Sequence, residues 1–336
     1  MKNSMDERIE GKIPHGLLTE LLSKLTRPGK EVVIGPEVGE DAFAASVDRT
    51  IVVASTDPIT FTTEHIGYYA VNVNANDVAT MGATPRWFLA TALVPPGTGK
   101  RVLSGIFRDL DSTCVGLGIR LCGGHTEVTS AVKQTVVVGA MMGTVSKRDL
   151  VRPERARQGD RILLTKRLAV EGTAIIAREK RRVVDRVLGR TRSARARKLL
   201  FSPGISVVRE ALSAVKTARI HAMHDPTEGG LLWGLKELSF ATGIGFRVDL
   251  DSVPVYDETR LICEHFDLDP FGLIASGSLL IVVSPRSVAP VTRAIRNLGI
   301  ECTEIGRMEG KKAALFRNGK PIAFPPLKSD EISRIV

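Results

Sequence analysis

The stretch Val71 to Arg86, VNVNANDVATMGATPR, decides how the rest of the chain is read. Val71, Ala75, Val78 and Gly82 recur at helical spacing, while Asn74 and Asp77, three apart, share a neighbouring face and can point at one object. Asparagine is a poor helix former because its amide competes for backbone groups, so Asn72, Asn74 and Asn76 in one run are not propensity choices. Two readings stand: a packing helix with a solvated polar edge, or one wall of a ligand site.

Upstream, residues 13 to 25 (IPHGLLTELLSKL) predict an amphipathic helix ending near Pro28-Gly29. GPEVGEDA at 35 to 42 reads as a glycine-rich turn presenting Glu40 and Asp41, and Thr50 to Ser55 as a buried strand with Asp57 just past its end. Downstream, WFLATALV (87 to 94) and TVVVGAMMGTV (135 to 145) read as buried strands, and Val102, Leu103, Ile106 and Leu110 mark a helix between them. Ile119 to Cys122 is a short strand running into GGHTE at 123 to 127, with Cys122 a buried strand-end residue. Pro153 and Gly159 in the polar run 147 to 160 mark a boundary, giving domains 1–148 and 149–336. Beyond it RILLTK is a strand, EGTAIIA starts a helix, and a second helix follows Pro203-Gly204. HAMHDPTEGG (221 to 230) precedes the amphipathic LLWGLKELSFATG, after which GFRVDL, SLLIVV, PVTRAIRNLG and AALFRN alternate strand and helix. The pattern is α+β or α/β in two domains of similar size.

With 336 residues, 43% of them apolar and 25% charged, the chain has the composition of a globular protein with a sizeable core. No apolar run reaches the roughly 20 residues that span a bilayer. The N-terminal MKNSMDERIEGK lacks the apolar centre of a secretory signal. Cys114, Cys122, Cys263 and Cys302 form no CxxC pair, which fits a reducing cytoplasm rather than a disulfide framework or structural zinc. The net charge of +10 is local: residues 147 to 198 carry 18 Lys and Arg against 6 Asp and Glu. Its densest part, Arg178 to Lys198, has no aromatic residue to stack on a base, so it reads as a solvated arginine-rich helix or a dock for an acidic protein before it reads as a nucleic-acid site.

Asp41, Asp57, Asp77 and Asp225 each stand beside a strand end, a glycine turn or a polar-interrupted helix. Singly each is a cap or turn residue; together they form a set of hard oxygen ligands of the kind magnesium shares with phosphate oxygens and water. Gly123-Gly124 and Gly229-Gly230 can bring backbone N–H groups close to phosphate. Neither GxxxxGK[ST] nor GxGxxG occurs, which excludes the P-loop and dinucleotide fingerprints.

In their order and spacing, GEDA (39 to 42), STDP (55 to 58), NANDVATMGATP (74 to 85), GGHTE (123 to 127) and HDPTEGGL (224 to 231) resemble the aminoimidazole ribonucleotide synthetase-like superfamily over residues 30 to 320. The resemblance implies a two-domain α+β fold, with an N-terminal domain forming a β-barrel shared by a homodimer and a C-terminal α/β domain. It further implies an ATP- and Mg2+-dependent enzyme, with no nucleic acid or membrane as partner. Carried over by motif, Asp41, Asp57, Asp77 and Asp225 face the metal. Asn74, Asn76, Gly123, Gly124, Thr126, Gly229 and Gly230 face the nucleotide, and Asp41, Asp77 and Glu127 serve catalysis.

Within the superfamily the hydrogenase-maturation branch, HypE, is most similar, and the departures are informative. That branch ends in Pro-Arg-Ile-Cys, whose cysteine carries the group to be dehydrated; here the end is Ser333-Arg334-Ile335-Val336, which has no nucleophile. The acceptor is then a small molecule or a group on another protein. A non-catalytic ATP-binding partner in a maturation complex is the alternative. GGHTE replaces the Gly-Asp-Thr-Lys of that branch, and Glu228 stands where it has arginine. His125 reads as a metal ligand, an acid-base group or a hydrogen-bonded loop residue, and Lys166 as a solvated lysine or a phosphate contact. Selenophosphate synthetases use a Cys or Sec near the N-terminus, and the first 113 residues here lack cysteine. Thiamine-phosphate kinases share STD and MGA but have GGDTT in place of GGHTE.

Overall fold

The computed structural model describes residues 15–26, 29–37, 41–60, 62–325 and 329–335. The N-terminal MKNSMDERIEGK, Pro28, Glu40 and Val336, on which expectations were placed, lie outside these residues. The first half contains α1 (His15–Ser23), β1 (Val32–Ile34), β2 (Phe43–Val47), β3 (Thr50–Ile59), α2 (Ile66–Thr80), β4 (Thr84–Val94), α3 (Lys100–Leu117), β5 (Arg120–Val128) and β6 (Val136–Val145). Its six strands run in the order β1-β2-β3-β6-β4-β5, antiparallel except for the β4–β5 pair. The sheet is open, with β1 and β5 at its edges, so one chain does not close a barrel.

The second half contains β7 (Arg161–Thr165), α4 (Val170–Glu179), α5 (Arg181–Lys198), α6 (Val208–Thr217), β8 (Ala222–His224), α7 (Gly230–Thr242), β9 (Phe246–Asp249), α8 (Asp257–Phe266), β10 (Leu279–Val283), α9 (Val288–Arg296), β11 (Cys302–Met308), β12 (Ala313–Arg317) and β13 (Lys320–Ile322). Its seven strands run β13-β12-β9-β11-β7-β10-β8. The mixed α+β content and the two sheets agree with the expected fold class. Sequence patterning missed β2, β8, α8, β11 and β13.

The helix quoted at the outset is α2, and it has no solvated edge. Asn72, Asn74, Asn76, Asp77 and Thr80 are all buried, along with Val71, Ala75 and Val78. One side of α2 packs on β3, β6 and α3, and the other meets α6 and β8 of the second half. A helix clasped from both sides shows no amphipathic stripe, and its polar groups must find partners inside the protein. Asn72 Nδ2 donates to Tyr68 O at 2.8 Å, and Asn76 reaches across to the second half, donating to Ile205 O at 2.9 Å and accepting from Val207 N at 2.8 Å. On the sheet side the approach is so close that a Cβ at Gly139 of β6 would stand 2.3 Å from Asn74 Nδ2.

Several local expectations are corrected. WFLATALV and TVVVGAMMGTV are half-buried strands, because one face of the sheet meets α2 and the other is uncovered. Asp57 lies inside β3, opposite Gly139, since the strand runs on to Ile59. GGHTE is not a loop: it is the middle of edge strand β5, where a Cβ at Gly124 would stand 1.8 Å from Ala90 O of β4. Glycine is required there for strand pairing. Cys122, on the same strand, is exposed. The helix at EGTAIIA stops at Lys180, and α5 carries the basic stretch, kinked at Gly189 (φ 73°, ψ 156°).

Candidate active site

Four segments distant in sequence meet in one cavity of about 580 Å3, a volume suited to a small ligand. Asp41 comes from the approach to β2, Asp57 from β3, Asp77 from α2 and Asp225 from the end of β8. Ser55 Oγ lies 2.6 Å from Asp77 Oδ2 and 3.1 Å from Asp57 Oδ2, fixing two carboxylates with one hydroxyl. Asn74 serves the same group from below. Its Oδ1 accepts from Asp57 N at 2.9 Å and its Nδ2 donates to Ala70 O at 2.9 Å, so its contact is with the strand and not the cavity.

The carboxylates feel one another. Burial raises the Asp77 carboxyl well above the usual range, and Asp57, Asp225 and Asp41 add to the rise. Asp225 is raised too, first by burial and then by Asp41, against His224 and Asn76, which lower it. Asp225 Oδ2 is buried and has no hydrogen-bond partner. These are hard oxygen donors held close enough to repel, one of them with an open lone pair, which is the chemistry of a magnesium site that has room for phosphate oxygens and water. Among the described residues no group of three His, Cys, Asp or Glu is set around a single point.

His224 was not singled out in the sequence. It is buried between two carboxylates, with Nδ1 2.9 Å from Asp41 Oδ1 and Nε2 3.0 Å from Glu237 Oε2 of α7. Asp41 and Glu237 together push the imidazole's pKa up although burial itself, the largest influence, lowers it. Asp41 is thereby fixed in the cavity wall. A signal for Glu237 was present: it lies three residues after Gly234, the α7 glycine that lets Pro226 and His224 come close.

The remaining expected residues are placed elsewhere. Gly123, Gly124, His125, Thr126 and Glu127 lie on β5, outside the cavity, and His125 Nε2 is 3.9 Å from Glu127 Oε2 at the surface. Gly229 N donates to Asp330 Oδ2 at 2.6 Å and Gly230 N to Thr227 O at 3.0 Å, so neither amide is free for phosphate. Lys166 is neither solvated nor in the cavity; it is buried against Glu210, with Nζ 2.7 Å from Oε1. In the basic stretch, Arg178 pairs with Glu64, Arg181 and Arg197 with Asp185, and Arg195 with Glu258, so part of its charge is used within the chain.

Glu171 of α4 also lines the cavity, with Oε2 buried and unpartnered. Burial pushes its carboxyl up to about 7, against a hydrogen bond from Ser276 and with help from Asp330 and Glu228. A folded-state value above the unfolded one means the fold favours the protonated form. Its contribution is therefore complete below about 4.5 and lost as pH rises through 7. Glu171→Gln, which does not titrate, should gain stability relative to the parent by up to about 3 kcal/mol between pH 4.5 and 8.5. Urea midpoints of both proteins at the two pH values measure this, and a pH-independent difference would contradict it.

Two family models match the chain: AIR synthase related protein, N-terminal domain, over residues 39–145, and AIR synthase related protein, C-terminal domain, over residues 157–316. Carbamoyl dehydratase HypE of Rhizobium leguminosarum bv. viciae is 28% identical over 279 residues, covering 80% of this chain and 77% of the relative. A selenide, water dikinase of Pseudomonas straminea is 29% identical over 262 residues, covering 76% and 70%. Among solved structures, the hydrogenase maturation protein HypE in complex with ATP superimposes with a TM-score of 0.70 at 19% identity, covering 94% of this chain and 91% of that one, a likeness of fold. With one model on each sheet and together most of its length matched, the chain belongs to the AIR synthase-related family.

Proposed function

We propose that the chain is an ATP- and Mg2+-dependent phosphoryl-transfer enzyme acting on an amide-type oxygen or similar group. The observation that supports this most is the convergence of Asp41, Asp57, Asp77 and Asp225 on one cavity, where burial and then the neighbouring carboxylates raise Asp77 and Asp225, and Asp225 keeps an open oxygen. The relatives named carbamoyl dehydratase and selenide, water dikinase support the reaction class and differ in acceptor. The absence of an early cysteine argues against selenium.

Asp57 and Asp77, set side by side, would hold the metal, with phosphate oxygens and water completing its shell. When bound, Mg2+ neutralises charge on the phosphate oxygens, which is most of what phosphoryl transfer asks of a protein. The chain's own part is positional. Ser55 sets Asp57 and Asp77 side by side, Asn74 fixes the backbone of Asp57, and the His224–Glu237 pair holds Asp41 at the wall. Apolar Ala42, Phe43, Ile59, Val73 and Ile274 line the rest and keep water from the reacting groups. The test is nucleotide binding and ADP release by the full chain with Mg2+, against Asp225→Asn. Binding without ADP formation over a broad panel of amide and phosphate acceptors would favour a non-catalytic nucleotide-binding partner instead, and no binding would end both readings.

The homodimer belongs to the same reading. The sheet face opposite α2 is uncovered and carries exposed Trp87 and Leu89, and the edge strand β5 ends in exposed Val128. A second copy on this face would cover them and bring Gly123, Gly124, Thr126 and Glu127 to an interface. Leu89→Glu should therefore halve the mass measured by light scattering at micromolar concentration; an unchanged mass would count against a dimer through this face.

A further inference from the structure

A second recess, of about 490 Å3, lies away from the carboxylates, between the segment leaving β6 and the turn that precedes β8. Lys147, Arg148 and Arg155 line it from one side and Lys216 and Arg219 from the other, with Asp149 the one carboxylate in its wall. Asp149 is already engaged, since Oδ2 accepts from Ser146 Oγ at 2.8 Å and Oδ1 lies 4.0 Å from Arg148 Nε. Among the described residues no carboxylate lies within ion-pair distance of Lys147, Arg155, Lys216 or Arg219. Lys216 has a local reason for its place, in the last turn of α6, where a cation offsets the carbonyl end of the helix. Lys147 and Arg219 have none.

On α5, by comparison, Arg181, Arg195 and Arg197 have carboxylate partners. Arg155 is held in the wall by donating from Nη1 to Leu150 O at 2.5 Å, so it cannot swing out to relieve the crowding. Burial lowers its guanidinium pKa, and Arg219 and Arg152 lower it further, against Glu154. Cations drawn from both halves of the chain and left without a counter-charge around a concavity form a preorganised anion site.

We propose that this recess binds a small polyanion bearing consecutive phosphate groups. Five cations on opposing walls exceed what a single phosphate engages, and a chain of phosphates spans both walls. The recess has no aromatic residue for stacking, and its other lining residues include Val215, Ala218 and Ile220, so a nucleic-acid strand finds neither a stacking platform nor an open track. The site is separate from the carboxylate cavity, which repels a polyanion when no divalent cation is present.

The test uses the full chain in EDTA at 0.15 M salt, titrated with tripolyphosphate by calorimetry. Binding near one equivalent is expected, weakened at least tenfold in Lys216→Ala/Arg219→Ala and in Lys147→Ala. It should be unchanged in Asp77→Asn and in a control on α5, Arg186→Ala/Arg190→Ala. Lys147, Lys216 and Arg219 are exposed, so thermal midpoints should match the parent's and report intact folds. A nucleoside triphosphate run alongside shows whether the phosphate chain suffices: equal affinity, or a tighter nucleotide that is equally sensitive to the recess variants, supports the site. No binding by the parent, or equal weakening by the α5 control, overturns the proposal, the second because it would reflect only the chain's net positive charge. Because no metal is present, a negative result here leaves the proposed phosphoryl transfer untouched.

Discussion

Asp77→Asn should remove Mg2+-dependent ATP turnover, by roughly 10²–10³-fold or more, while making the protein harder to unfold. The two effects have one cause. Asp77 is buried, and Asp57, Asp225 and Asp41 surround it, so its negative charge is unfavourable in the metal-free fold. Asparagine has nearly the same shape, and its carbonyl can still accept from Ser55 Oγ, which stands 2.6 Å away. The unfavourable charge then disappears at little packing cost. Without metal, the thermal midpoint should rise by a few degrees, at roughly 2–4 °C per kcal/mol for a chain of this size. With millimolar Mg2+ and nucleotide the order should reverse, because only the parent gains from a ligand that binds the folded state. A variant that loses stability and activity together would show that Asp77 is a structural residue and would sink its assignment to the metal.

The second large effect is expected at a residue that touches no ligand. Asn76→Ala should cost about 2–5 kcal/mol, a sizeable share of the 5–15 kcal/mol that holds a typical domain together. Among the described residues its side chain is the sole partner of two buried backbone groups of the other half, Ile205 O and Val207 N, at 2.9 and 2.8 Å. Alanine leaves both unsatisfied in the interior, and this penalty exceeds the modest net value of the bonds themselves. Asn76 also lowers the Asp225 carboxyl, so its loss should weaken the metal site as well. Asn72→Ala is the control. Asn72 donates only to Tyr68 O, one turn back, and that carbonyl belongs to its own helix, so a cost nearer 1 kcal/mol is expected. Urea midpoints of the two variants should differ accordingly; equal losses would mean that the bridge to 205–207 carries no special weight.

Much of the architecture was legible because it depends on local pattern. Val71, Ala75 and Val78 mark a helix, and aspartates beside strand ends and glycine turns mark a site whatever the tertiary arrangement. What could not be read depends on partners remote in sequence. The asparagines of α2 looked like a solvent edge because 205–207, which meets Asn76, is 129 to 131 residues away. Gly123-Gly124 looked like a phosphate loop because nothing local shows that Ala90 O would occupy the place of a Cβ. Gly229 was read as a phosphate donor, and its amide is instead taken by Asp330, 101 residues later. His224 was overlooked because its role depends on Asp41, 183 residues earlier, and on a glutamate on the next helix.

The burial of α2 on both sides also bears on how the chain comes apart. The two halves divide cleanly by strand, one sheet ending at Val145 and the other starting at Arg161, which suggests two units that could be cut and studied singly. Yet the helix at the centre of the first half keeps its polar face dry only while α6 and β8 cover it. A fragment ending at 148 would keep its whole sheet but open the polar face of α2, Asn76 first, to water. Melting should accordingly be a single concerted event spanning both halves, and the division seen in the sheets marks chain topology rather than a seam along which the protein yields.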